Sequence, residues 1–232
     1  MRNLLFILVV LYSGSFCLKA QNNCSRFYPL NEGATYTYTN FDKKNKLEGT
    51  TRYTIASAIN DNGATKATMA LTFSDKKGKE VYASDYKISC SDGTIQIDYK
   101  SLFPNAMMKQ YEDMGMEMEL DGTDIEIPNE LTVGQTLEDA NVAIDLSMSG
   151  MNMKIKVDMT DRKVEKKESV TIAAGTFDCY VISETNTSQT MGAKQEMRSK
   201  LWLAEGVGMV KQELYKKNGN LVSSTQLSEF TQ

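Results

Sequence analysis

Methionine is the side chain this sequence offers most conspicuously for chemistry. Fourteen occur among 232 residues, and they gather as Met114-Gly-Met116-Glu-Met118 and Met148-Ser-Gly-Met151-Asn-Met153, with Met107, Met108 and Met159 nearby. Thioethers are soft ligands that suit Cu(I). The Met-x-Met spacing sets two sulfurs on one face of a strand, because strand side chains alternate with period two. No histidine occurs in the chain and no cysteine lies near these clusters, so no metal site and no cofactor are expected. Flexible, polarizable methionines equally suit an adaptable apolar cavity or the filling of a curved sheet. The missing histidine also removes Ser-His-Asp and Cys-His activation and the usual neutral-pH proton shuttle. A Ser-Lys or carboxylate pair stays formally open, but no spacing singles one out. No catalytic residue is assigned.

The other reactive side chain is cysteine, and its meaning depends on compartment. Residues 1–20 carry the layout of a secretory leader: a positive start at Arg2, an apolar run from Leu4 to Leu11, and a small residue, Ala20, before the expected cut. The working chain is then a single domain from Gln21 to Gln232, exported to the periplasm or beyond. Cys17 falls within the leader, and Phe16 before it argues against a lipoprotein signal. Cys24, Cys90 and Cys179 remain. An odd count in an oxidising compartment allows one internal bridge and leaves one thiol. Cys90 alternates with Tyr86 and Ile88, and Cys179 with Phe177 and Val181, so both are expected to point inward. Cys24 lies near the new N-terminus. The pattern favours Cys90–Cys179 if a bridge forms; the alternative is buried free thiols behaving as small hydrophobes.

The elements that must position these groups read as strands. Asn62-Gly63, Lys77-Gly78, Asp92-Gly93, Asp121-Gly122, Ser149-Gly150 and Asn218-Gly219 punctuate segments rich in Thr, Tyr, Val and Ile, and only three prolines occur. Such spacing predicts an all-β fold: a curved antiparallel meander forming a half-open or closed barrel. A turn at Ser149-Gly150 sets Met148 opposite Met151, Leu146 opposite Met153, Ile144 opposite Ile155 and Val142 opposite Val157. Asp145 then faces Lys154 on the other side of the sheet. A second hairpin is predicted at Asp121-Gly122. It would align Met116, Met118, Leu120, Ile125 and Ile127, and would oppose Glu119 to Asp124 and Glu117 to Glu126. One short helix is expected over 102–112, with Phe103, Met107 and Tyr111 on one face. A lone Trp202 is expected to pack at the edge of the core. The formal net charge is −4 for the whole chain and becomes more negative once Arg2 and Lys19 leave with the leader. That sign argues against nucleic acid as a partner. No later apolar run is long enough to span a bilayer.

Four segments carry a family resemblance: Phe27-Tyr-Pro-Leu-Asn-Glu-Gly33 with Tyr36-Thr-Tyr38; Asn129-Glu-Leu-Thr-Val-Gly-Gln-Thr-Leu137; Val170-Thr-Ile-Ala-Ala-Gly-Thr-Phe-Asp-Cys-Tyr180; and Trp202-Leu-Ala-Glu-Gly-Val-Gly-Met-Val210. This series resembles a family of exported proteins of Gram-negative bacteria classed under a domain of unknown function. The family is similar at fold level to periplasmic lipoprotein carriers, in which a curved antiparallel sheet wraps an apolar cavity. The resemblance implies such a fold and names no active site.

The reading that unites these features is a non-enzymatic cell-envelope module that holds an apolar ligand, or the lipid moiety of a lipoprotein. The expected cavity face comprises Met116, Met118, Leu146, Met148, Met151, Met153 and Ile155. The alternative is an interaction domain with a filled core, using the acidic strip Glu117, Glu119, Asp124 and Glu126 as its contact surface.

Overall fold

The computed structural model describes residues 24–102, 105–148 and 151–232. The expected leader over 1–20, with Cys17, and the expected Ser149-Gly150 turn lie outside the described residues. The strands are β1 Thr35–Asp42, β2 Leu47–Asp61, β3 Ala64–Asp75, β4 Glu80–Ser91, β5 Thr94–Ile97, β6 Glu117–Gly122, β7 Ile125–Pro128, β8 Ala140–Met148, β9 Met151–Ile172, β10 Gly175–Thr190, β11 Ala193–Ala204, β12 Gly208–Lys216 and β13 Leu221–Thr231. A 3₁₀ turn, Tyr99–Leu102, leads toward one short helix, α1 Asn105–Asp113. All thirteen strands form one antiparallel sheet in the order β6-β8-β9-β10-β11-β12-β13-β1-β2-β3-β4-β5-β7.

Local sequence explains most of this order. In β1, Thr-Tyr-Thr-Tyr buries Tyr36 and Tyr38 while Thr35 and Thr37 stay half-buried, as the pleat requires. Asn62-Gly63 and Asp92-Gly93 both adopt positive φ at each central residue, the conformation of the tight turns that match strand twist. Met191-Gly192 does the same between β10 and β11. The Met-rich hairpin has the expected register: Met148 pairs with Met151, Leu146 with Met153, Ile144 with Ile155 and Val142 with Val157. Lys154 Nζ lies 2.9 Å from Asp145 Oδ2 on the opposite side.

The second predicted hairpin does not form. Asp121 and Gly122 are inside β6, which pairs with β8, whereas β7 pairs with β5. Gly122 serves close approach here, since a Cβ at that position would lie 2.3 Å from the Asn141 carbonyl oxygen. The acidic strip is therefore divided. Glu117 and Glu119 face Ser147 and Asp145 across the ladder. Asp124 accepts the Tyr99 N–H at 3.2 Å, and Glu126 accepts the Gln96 amide at 3.0 Å.

The end strands β6 and β7 are separated in the chain only by Thr123 and Asp124. One extended stretch thus pairs with β8 through its first half and with β5 through its second. The ring is completed by the covalent chain, and among the described residues no ladder joins one end strand to the other, so the barrel is half-open. The segment between β7 and β8 lies along the seam against β9. Leu137 N–H donates to the Arg162 carbonyl at 2.8 Å, Val164 N–H to Gln135 at 2.9 Å, and Gly134 N–H to Val164 at 2.8 Å. The core within includes fully buried Phe27, Ile55, Ile88, Ile95, Ile182, Leu203 and Leu227. Trp202 packs at its edge, where its indole N–H donates to Glu168 at 2.6 Å and Lys211 lies over its ring at 4.6 Å.

The expected Cys90–Cys179 bridge is replaced by Cys24–Cys90, with Cα atoms 5.8 Å apart. Cys90 and Cys179 are both buried, as alternation requires, but six strands lie between β4 and β10 in the sheet. The N-terminal segment supplies the partner because Asn129 holds it in place. The Asn129 side chain accepts from Arg26 N–H at 2.8 Å and donates to the Cys24 carbonyl at 2.6 Å. Burial pushes the Cys179 thiol up to about 11, which leaves it an unreactive packing group. For a chain beginning at Gln21, thiol titration in denaturant is expected to find one group before reduction and three after. Cys24→Ala/Cys90→Ala should lower the unfolding free energy by roughly 2–5 kcal/mol in a denaturant titration, given the 66-residue separation.

Candidate functional site

Inward alternation assembles a cavity from one residue type that the chain uses repeatedly on neighbouring strands. Tyr36 of β1 stands opposite Tyr53 of β2, Tyr53 opposite Leu71 of β3, and Leu71 opposite Ser84 of β4. Met69 of β3 stands opposite Tyr86. The rings of Tyr38 and Tyr53 meet edge to face at 5.5 Å, and those of Tyr53 and Tyr86 at 5.8 Å. Tyr28 joins them from the N-terminal segment. Gly208 makes room for it, because a Cβ there would lie 2.4 Å from the Tyr28 ring. Six tyrosines, Tyr28, Tyr36, Tyr38, Tyr53, Tyr82 and Tyr86, line a cavity of about 340 Å³, with Met69, Met209, Ile125, Ile182 and Leu201 among the residues of its apolar wall. That volume lies at the small end of ordinary ligand sites, roughly 300–1,000 Å³.

One ion pair lies in the wall. The extra residue in β9 opposite Glu184 creates a bulge at Asp161, whose φ is 54°. Met159, Arg162 and Val164 are consequently buried, while Asp161 and Lys163 are exposed. The Arg162 side chain is only 3% exposed and lies 3.4 Å from Glu184. Its Nη1 donates to the Glu138 carbonyl at 2.6 Å and its Nη2 to the Glu126 carbonyl at 3.2 Å. Glu184 Oε1 accepts from Ser199 at 2.8 Å and from Asn186 at 3.2 Å. Every polar group of the pair is engaged, the condition under which a buried ion pair is tolerated.

Five of the phenols are held neutral by their surroundings. Burial, reinforced by neighbouring tyrosines, raises Tyr28, Tyr38 and Tyr86 well above their ordinary range. Burial raises Tyr53 and pushes Tyr36 up to about 12. Tyr38 donates to the Met209 carbonyl at 2.9 Å and Tyr36 to that of Pro29 at 3.4 Å. Among the described residues, nothing takes up the hydroxyls of Tyr53, Tyr82 and Tyr86.

The methionine face sits elsewhere. Its strands continue the cavity side of the sheet, since Asn186, two residues from Glu184, pairs with Met159. Leu146 is buried, and Met116, Met118, Met153 and Ile155 are half-buried; none of these five lines the cavity. Met148 and Met151 pair through their backbones, and their side chains lie outside the described ones. The tyrosine signal was readable in the sequence as Tyr36-Thr-Tyr38 and as inward positions of β2 and β4. Arg162 carried no such signal, because a bulge reverses its facing. Among the described residues no cluster of three or more Cys, Asp or Glu is arranged to hold a metal, and no helix is long and apolar enough to cross a membrane.

A half-open antiparallel barrel around an aromatic cavity places the protein among β-sheet folds that enclose an internal cavity. The chain belongs to the DUF3108-like family, whose model matches residues 31–227. Two solved structures share the fold. One, from Bacteroides fragilis, is described as an exported protein with a YmcC-like fold; it is 21% identical, covers 90% of this chain and all of its own, and superposes with a TM-score of 0.68. The other, from Parabacteroides distasonis, is described as a lipoprotein; it is 23% identical with the same coverage and a TM-score of 0.70. No curated protein matches.

Arg162→Met is expected to cost about 3–5 kcal/mol in urea unfolding, because it strands Glu184 in the interior. Arg162→Met/Glu184→Leu should recover part of that loss; equal losses would show that the two charges are uncoupled. The buried phenols also set an alkaline limit. Their folded pKa values exceed the ordinary 10, so stability is retained below pH 10 and falls as pH rises toward 12. Each such tyrosine contributes about 1.4 kcal/mol of loss per pH unit in that window. Denaturant titrations at increasing pH, read with phenolate absorbance, check this.

Proposed function

We propose that this chain is an exported, non-enzymatic binding module that holds an apolar ligand, or the apolar part of a lipid or lipoprotein, in the tyrosine-lined cavity. The observation that carries the reading is the cavity itself: about 340 Å³, walled by aromatic and aliphatic side chains with few polar groups. Export is supported by the leader over residues 1–20, by the Cys24–Cys90 bridge, and by solved relatives described as exported or as a lipoprotein. Binding without turnover is supported by the lack of histidine and by a wall whose charged pair is spent on internal hydrogen bonds. In this reading the methionine hairpin is an apolar extension of the inner face beyond the cavity, available to a longer ligand.

Native mass spectrometry of protein exported and purified without detergent should reveal a bound mass of lipid or small-amphiphile size. Leu71→Trp, which fills the cavity from β3, should abolish that mass while an unchanged melting profile reports an intact fold. Should Leu71→Trp lose the fold, Ile125→Phe repeats the test from β7. A clean apo mass that gains nothing on adding an apolar ligand would overturn the proposal.

A further inference from the structure

The cavity's charge balance says which ligands it refuses. Arg162 and Glu184 are the charged side chains in its wall. Arg162 spends Nε on Glu184 and both terminal nitrogens on backbone carbonyls. Glu184 receives Arg162, Ser199 and Asn186. The pair cancels, and Arg162, whose side chain is only 3% exposed, turns almost no surface to an incoming ligand. A carboxylate or phosphate entering would lose its hydration without meeting a free cation, which costs several kcal/mol for an ionised group. An ammonium would find no free carboxylate, and the ring faces that could cradle it are partly spent on edge-to-face contacts among Tyr38, Tyr53 and Tyr86. What the wall does offer is hydrogen-bonding groups: the hydroxyls of Tyr53, Tyr82 and Tyr86, with Gln212 and Ser84. Each can donate one hydrogen bond and accept another.

We infer that the part of the ligand held in this cavity is uncharged and carries a hydrogen-bonding oxygen: an alcohol, ester or amide on an apolar body. Free fatty acids and phosphate headgroups are excluded from the cavity. This rests on the cavity reading above and narrows it to a ligand class.

The test compares three probes of matched chain length, decanol, decanoic acid and decylamine, by calorimetric titration of the full exported chain. At about pH 8 decanol is expected to bind roughly tenfold or more tightly than decanoate or decylamine, reflecting the cost of burying either charge. The decanoic acid affinity should climb toward that of decanol as pH falls to about 4.5 and the acid becomes neutral. Glu184→Gln keeps the hydrogen-bonding shape but frees the charge of Arg162, and should shift the preference toward decanoate. Decanoate or decylamine binding as tightly as decanol to the unaltered chain at about pH 8 would overturn the ligand class and leave the cavity reading standing. Binding of none of the three by a folded protein would overturn both. A Glu184→Gln variant that folds, yet gains nothing for decanoate, would overturn the charge-balance argument specifically.

Discussion

The buried guanidinium of Arg162 joins parts of the sheet that no strand ladder joins. It projects from β9, near one end of the sheet order, and bonds the carbonyl of Glu126 in β7, the strand at the other end. A further bond reaches the Glu138 carbonyl just before β8. Two backbone acceptors that the unpaired seam would otherwise leave unsatisfied are thereby engaged, at charge-assisted strength. Glu184, with Ser199 and Asn186 behind it, neutralises the charge and orients it. A half-open barrel has to manage exposed ladder groups at its seam. Here the 129–139 segment covers part of that edge by bonding to β9, and Arg162 reaches across the rest.

The cavity depends on that closure. Five of its six tyrosines come from β1, β2 and β4, whereas much of its aliphatic wall comes from β5, β7, β10 and β11. The two groups face each other only because the sheet curls. The N-terminal segment completes the enclosure: Cys24 is bridged to β4, Phe27 is fully buried, and Tyr28 lies over Gly208. The family-specific segments acquire a physical meaning from this arrangement. Phe27 to Gly33 crosses the end of the barrel, Asn129 to Leu137 lines the seam, and the segment from Trp202 to Val210 contains the glycine that receives Tyr28.

The Met148–Met151 hairpin was readable to its register, because period-two alternation and the Asp145–Lys154 pair act between adjacent strands and carry local information. Cys90, alternating with Tyr86 and Ile88, was readable as inward for the same reason, and Tyr36-Thr-Tyr38 carries the same period of two. The Asp121-Gly122 hairpin was misread because a glycine demanded by close approach to Asn141 has the same local appearance as a glycine demanded by a turn. Cys90 and Cys179 were each placed inside, yet alternation says which face a side chain takes and nothing about which distant strand lies opposite.

Composition and local pattern by themselves determined the antiparallel β class, most of the turns, the facing of individual side chains and the absence of imidazole chemistry. These follow from interactions between residues close in the chain, whose energies the local sequence contains. Tertiary structure alone decided the Cys24–Cys90 pairing, the split of β6 from β7, the inward turn of Arg162 and the placing of the cavity among the tyrosines of β1, β2 and β4, away from the methionine hairpin. Each of these depends on which distant strands the curl of the sheet brings together, and on a bulge that changes facing by one residue. Neither leaves a mark in the local periodicity of the chain.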